Sequence, residues 1–473
     1  MYLASLSRHW QIDPSQSSAI SCQLNQVLHR GLFFKNHKFS QPQTDLAASV
    51  TLSDDQRCWR FRLKPARFAN GNAITLQHLL ASLQAVVKPG SNSLFHEVLA
   101  PVFSPDDVVL DQANTEVRLH LAYPYPSLPD YLAHPALALF DHESGCGAGP
   151  MQVDASGADP VSSDYQRIRL ITNPYYDGPR RLPESLKLRL YADWPSLSAA
   201  LHEHDMREQG VIICERHHQL RLAATGLFDS TPVCDDWRSI LIANAAGSLA
   251  DARLRQEFFA LLSAHLELSL GTQRARQFVP EHLLSKTSES RFALPAASSA
   301  SDFVQRWQAH FQQQPLRVLY AAERGVITSA LDVVLSMMDD FGLAYQKIAT
   351  HKASEVYEYV ARGDFDLVAR GWMQDVDDLA QYAAAHQKQA PEELAQAPYQ
   401  RFYRDLAKAY QHDQSAVALC WQVLEQQHLY LPLAQDYQRL YHGSKVQLQE
   451  LARHPFDLIR IWNQLKSPAL KLA

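Results

Sequence analysis

The run Gly371-Trp372-Met373-Gln374-Asp375 places an aromatic ring three residues before a carboxylate. That pair suits a cationic group such as a peptide α-amine. Asp375 would supply charge and acceptors, and Trp372 would supply apolar area and a cation–π face. The same spacing also allows a structural reading. In it, Asp375, Asp377 or Asp378 caps the following helix and Trp372 lies in a core. A hard cation fits poorly, because the run lacks the glycine and distant glutamate of a calcium loop. No metal is expected here.

Other chemistry finds little support. Of the 21 histidines, the densest groups are His202-Glu203-His204-Asp205 and His217-His218. Neighbouring histidines on a helix point to different faces, and neither group has the HExxH spacing, so both are read as solvated surface. No GxSxG elbow occurs, and no cysteine has a local nucleophile signature. The turn Ala321-Ala322-Glu323-Arg324-Gly325 has one glycine and carries an acid, so it is not a phosphate cradle. No catalytic residue and no cofactor are assigned. A hydrolase built on the Asp/His-rich segments is the weakest function class. The six cysteines, at 22, 58, 146, 214, 234 and 420, form no CxxC pair. Isolated buried thiols are the expectation, with a Cys214–Cys234 loop disulfide as the alternative.

The elements that must position such residues are legible in the patterning. Cys58 to Leu63 alternates, with Trp59, Phe61 and Leu63 on one face, which predicts a half-buried strand. Asn70-Gly71 predicts a turn. Thr75 is placed to cap a helix carrying Leu76, Leu79, Leu80 and Leu83. Further strands are expected at Val117–Leu121, Ile168–Leu170 and Leu186–Leu190, so residues 37–145 read as a small inserted α+β unit. Residues 316–378 are different in kind. Strands are expected at Leu316–Tyr320, Leu343–Ile348 and Phe365–Ala369. Between them lie a helix through Ile327 to Phe341, ended at Gly342, and a second helix stopped by Gly363. Strands alternating with helices imply parallel pairing, and ligands bind outside the carboxyl ends of such strands. Asp375 follows the end of the third strand. The stretch Leu294–Ser301 is expected to be a surface loop, and His386–Pro398 a loop or weak helix.

A chain of 473 residues calls for two or three domains. Its net charge of −6 brings no field that would attract nucleic acid, so no nucleic-acid partner is expected. No stretch of about 18 apolar residues exists to span a membrane. The run Met1 to Trp10 lacks the basic start and apolar length of a secretory signal. The chain is therefore expected to be cytoplasmic, or periplasmic if a leader has been removed.

Six phrases in order resemble extracellular solute-binding protein family 5, the peptide/nickel class. They are Phe61 to Leu83 around the Asn-Gly turn, Gly147-Ala148-Gly149-Pro150-Met151, and Thr172-Asn173-Pro174-Tyr175-Tyr176-Asp177-Gly178. The others are Asp251-Ala252-Arg253-Leu254-Arg255-Gln256, Gly363-Asp364-Phe365-Asp366-Leu367 with Gly371-Trp372-Met373-Gln374-Asp375, and Tyr430-Leu431-Pro432-Leu433. The chain departs at Met151, where the family usually has tyrosine, and at His29-Arg30-Gly31-Leu32.

The resemblance implies an α/β type II periplasmic-binding-protein clamshell, two lobes with an extra inserted α+β domain. It implies domain I from residues 1–36, 146–238 and 436–473, domain II from 37–145, and domain III from 239–435. It also implies a monomer that captures an oligopeptide or similar small solute in an interlobe cleft and delivers it to the membrane subunits of an ABC permease. Asp375, at the position that binds the α-amine in peptide-binding members, Trp372 and Asn244 are the ligand-binding residues carried over. The tail His454-Pro455-Phe456-Asp457-Leu458 to Trp462 is similar to the C-terminal sensor of SgrR-type transcription regulators. The alternative function is accordingly a leaderless cytoplasmic ligand sensor without its DNA-binding domain.

Overall fold

A computed structural model describes residues 2–6, 25–35, 41–154, 165–178, 185–270, 279, 283, 300–373, 376–387 and 396–444, apart from positions 92, 94, 114, 192, 214–215, 246, 322–324, 351–352 and 377. The chain divides into two compact units, residues 1–235 with 438–473, and residues 236–437. Both crossings fall inside long strands, Asp229–Ala243 and Tyr430–His442.

In the first unit, the sheet follows the order Met151–Val153, Tyr165–Thr172, Ser185–Tyr191, Tyr2–Leu6, Gly210–Ile213 and the end of Tyr430–His442. The strands expected around Ile168 and Leu188 pair antiparallel, with these two residues opposite each other. The patterning gave no sign of the Tyr2–Leu6 strand. It pairs in parallel on both sides, Tyr2 lying opposite Lys187 and Gly210. Tyr191, Leu197, Leu201, Met206, Ile212 and Tyr441 form a buried cluster of this unit.

The α+β part has its own four-stranded antiparallel sheet, ordered Ala47–Leu52, Cys58–Leu63, Glu116–His120, Val108–Asp111. Trp59 and Phe61 point inward and Arg60 and Arg62 outward, as the alternation predicts. The helix Leu76–Val87 buries Leu79, Leu83, Val86 and Val87. Its N-terminus is closed at Thr75, whose backbone N–H donates to His78 Nδ1 at 3.1 Å. Asn70-Gly71 forms the expected turn, Gly71 sitting at φ +89° and donating its N–H to Phe68 O.

The second unit holds the alternating segment. Leu316–Ala321 pairs in parallel with both Tyr345–Thr350 and Leu367–Met373. Leu367–Met373 pairs antiparallel with Trp237–Ala243 on its other side. Helices Ala252–Leu270, Ala300–Gln313 and Gly325–Asp340 contribute to one core, in which Phe258, Trp307, Phe311, Leu331 and Met338 meet Val318 and Leu367. Full burial of such side chains contributes about 1.5–3 kcal/mol each. Gly342 ends the Gly325–Asp340 helix at φ +60°, and Leu343 N–H donates back to Met338 O at 2.9 Å. That bond takes Leu343 into the helix cap, so the second strand begins at Tyr345 rather than 343.

The third strand also differs from expectation. It runs Leu367–Met373, not Phe365–Ala369. The antiparallel partner continues opposite Arg370 and Gly371, so the ladder runs through residues that look like a break in sequence. Helix begins at Ala300 within the stretch read as a loop, whose residues 294–299 lie outside the described residues. Within 386–398, the ends of two helices are seen, Leu379–Gln387 and Gln396–His412, and residues 388–395 lie outside the description.

Candidate functional site

The phrases that carry the family resemblance form framework contacts, each within its own unit. In the first unit, a Cβ on Gly149 would lie 2.4 Å from the carbonyl carbon of Leu28, and one on Gly147 would lie 2.1 Å from Leu28 O. Only glycine permits that approach. Asn173 locks the same loop: its backbone N–H donates to Pro150 O at 2.9 Å and its Nδ2 to Gly149 O at 2.8 Å. Its Oδ1 accepts from Tyr175 N–H. The Asn-Gly turn is tied to Asp141, whose carboxylate accepts from Asn70 and Asn72 Nδ2. The Ser144 hydroxyl, with the two asparagines, holds the Asp141 carboxyl well below the usual carboxylate range. Arg30, one of the departures from the family pattern, is buried. It pairs with Asp45 at 2.6 Å and Asp177 at 2.5 Å, and its guanidinium lies 5.2 Å from the centre of the Tyr176 ring.

In the second unit, Asp251 caps the helix Ala252–Leu270 through Arg253 and Leu254 N–H. Arg255 is buried and donates to the carbonyls of Leu249, Ala250 and Gln427. Asp366, at 1% exposure, accepts from Ser248 N–H and from the backbone and Nε of Arg317. Asn244 is also buried. Its Nδ2 donates to Phe365 O at 2.8 Å and to Gly363 O at 3.2 Å, and its backbone N–H donates to Asp366 O. These bonds hold the turn that feeds the third strand.

Trp372 lies within that strand, its backbone in register with Arg238. Asp375 lies outside the described residues, as does Asp377. Among the described residues, Asp378 takes the capping part that sequence left open among three acids. It is 2% exposed, just before the helix Leu379–Gln387. Its Oδ1 accepts from Ala380 N–H at 3.4 Å and from Tyr410 Oη at 3.5 Å. Gln381, which sequence reasoning passed over, is buried and accepts from Val376 N–H at 2.7 Å. A glutamine inside a helix carries no pattern signal for such a role. His202, Glu203, His204 and Asp205 are exposed, in keeping with a solvated surface.

The cysteine expectation needs correction. Cys58 and Cys146 are free but half-buried, and only Cys420 is a buried free thiol among the described ones. Cys58 falls on the outward side of its strand, which keeps it from the core. The side chains of Cys22, Cys214 and Cys234 lie outside the description. Among the described residues, no group of three or more His, Cys, Asp or Glu could hold a metal ion.

Residues 41–206 match the family model of bacterial extracellular solute-binding proteins, family 5 Middle. Over those residues the chain is similar to this family. A curated relative, the probable D,D-dipeptide-binding periplasmic protein DdpA of Escherichia coli, is 27% identical over 146 residues. That match spans 28% of this chain and 27% of the relative, about a quarter of its length. The fold is similar to that of solved periplasmic binding proteins. The periplasmic binding protein DppA from Helicobacter pylori, solved with the peptide STSA, superposes with a TM-score of 0.73 at 14% identity, covering 98% of this chain and 97% of that one. The binding protein AgaA from A. tumefaciens, solved with agropinic acid, gives a TM-score of 0.73 at 16% identity, covering 98% and 96%.

Proposed function

We propose that this chain is a solute-binding protein that captures an oligopeptide or a similar small solute and passes it to an ABC-type permease. The observation that carries this reading is the family 5 match over residues 41–206. The shared fold along the whole length of binding proteins solved with a peptide or with agropinic acid adds support. Asp375 is the residue assigned to the solute's ammonium group, with Trp372 beside it as apolar surface. A carboxylate next to an aromatic ring selects a cation by charge and by its π face together. Binding, with no chemical turnover, is the whole of the proposed activity. The named relatives are binding proteins, and the sensor alternative gains no support from them.

The protein is proposed to act as an exported monomer. No helix among the described residues is long and apolar enough to cross a membrane.

Native mass spectrometry of gently purified protein tests the proposal, followed by calorimetry with the solute so identified. A mass increment matching a peptide or amino-acid conjugate, released on denaturation and rebound on refolding, is the expected result. Absence of any bound mass, together with no heat from a mixed peptide library, would overturn it.

A further inference from the structure

The helix Gln396–His412 and the short helices Val417–Cys420 and Gln422–Glu425 form a hairpin within the second unit. One face of the hairpin is core. Phe402, Leu406, Trp421 and Leu424 are buried there, Trp421 meets Phe402 edge-on, and its Nε1 donates to Tyr430 Oη at 2.9 Å. Another face holds a hollow of about 430 Å³, the size of a small-molecule site. Ala409, Ala416 and Cys420 line it, where larger side chains would fill it. Leu419, 43% exposed, and Val423 add apolar wall. The turn between the helices is fixed, because Asp413 N–H donates to Ala409 O at 2.9 Å and Ala416 N–H to Asp413 O at 3.0 Å. Walls held in this way need little ordering when a ligand arrives.

The charged side chains that line the hollow are not equally engaged. Asp405 lies between Arg401 and Arg404, at 3.5 and 3.8 Å. Lys408 and Asp413 are exposed and of opposite charge. Among the described residues, they form no ion pair with each other or with any other side chain. Asp413 uses Oδ1, which accepts from Ser415 N–H at 3.1 Å and from the Ser415 hydroxyl at 2.5 Å. Oδ2 is left for another donor. A simple anion or a simple cation would satisfy one of these two charges and leave the other.

We propose that the hollow binds a free α-amino acid with an apolar side chain. Lys408 takes the carboxylate, with a ring N–H of His412, which either tautomer supplies. Asp413 Oδ2 takes the ammonium group. Leu419 and Val423 cover the side chain. Every lining residue belongs to the second unit, and none has a part in the proposed capture of a peptide.

The experiment titrates the full chain with L-leucine, leucinamide and N-acetyl-leucine, followed by ligand-detected NMR. Leucinamide lacks the carboxylate, and N-acetyl-leucine lacks the ammonium group. Wild type is expected to bind leucine more tightly than either. Lys408→Gln should weaken leucine about tenfold, the combined effect of losing an exposed charge contact and its hydrogen bond, and leave leucinamide unchanged. Asp413→Asn keeps the Oδ1 acceptor for Ser415; it should weaken leucine by a similar factor and leave N-acetyl-leucine unchanged. Both residues are exposed, so melting temperatures should stay at the wild-type value. Leu419→Asn should reduce the preference for leucine over alanine. Three results would each overturn the proposal. One is no leucine binding to wild type at millimolar concentration. Another is binding that neither charge variant alters, which places the leucine elsewhere on the protein. The third is an equal loss for all three ligands in either charge variant. Peptide capture stands or falls separately, by the mass spectrum and calorimetry described above.

Discussion

Asn173 Nδ2 donates to Gly149 O across 2.8 Å, joining two loops 24 residues apart in the chain. The asparagine is 2% exposed, and its Oδ1 is taken by Tyr175 N–H. One side chain thus pairs the buried Gly149 carbonyl of one segment and the partly buried Tyr175 N–H of the other. Asn173→Ala is expected to destabilise the protein by about 1–3 kcal/mol, the usual result of stranding buried polar partners. Chemical denaturation followed by tryptophan fluorescence measures it, and an unchanged midpoint would contradict the linking role.

The same loop explains a second outcome. A methyl group at Gly149 would sit 2.4 Å from Leu28 C and 2.5 Å from His29 N. Backbone cannot rotate away as a flexible side chain can. Gly149→Ala should therefore cost about 3 kcal/mol, at the upper end of overpacking effects. A melting temperature within error of wild type would show that the two loops part easily.

Acid should weaken the fold through His134. Its Nδ1 accepts from Ala136 N–H at 3.1 Å, its ring packs edge-on against Phe95 with centroids 4.7 Å apart, and Lys35 lies close enough to repel added charge. Burial first, and Lys35 second, push the imidazole from its ordinary 6.5 down to about 3. Between these values the unfolded chain binds a proton that the folded chain refuses. The stabilisation is complete above pH 6.5 and is lost as pH falls toward 3. The loss is about 2 kcal/mol between pH 6.5 and 4.5. His134→Asn keeps an acceptor for Ala136 and removes the titration, so its urea midpoint should vary less over that interval. A variant with the same acid sensitivity as wild type would exclude His134 as the source.

On the proposed function, Asp375→Ala should weaken a free-amine peptide by about 2–5 kcal/mol, the cost of removing one member of a buried charge pair. Isothermal titration against the natural solute, once identified, provides the number. Equal affinities for variant and wild type would remove Asp375 from the site.

Short-range features were readable from residue order because their partners are close along the chain. Trp59 and Phe61 face inward through alternation alone. Thr75 and His78 close a helix start within four residues. Gly342 and Gly363 end helices because each adopts a left-handed backbone. The order of six phrases also pointed to the family. Tertiary structure decided what those phrases do. Gly149 and Asn173 are both visible in sequence, yet only the fold shows that one binds the other. Three acids follow Trp372 at spacings that each suit a cap. Helix Leu379–Gln387 and Tyr410, 32 residues beyond Asp378, give Asp378 that part. The strand Tyr2–Leu6 has five residues with no alternation, and its partners Lys187 and Gly210 lie in distant segments. Residue order records local preference directly, whereas pairing across such separations is set by which surfaces the whole chain buries together.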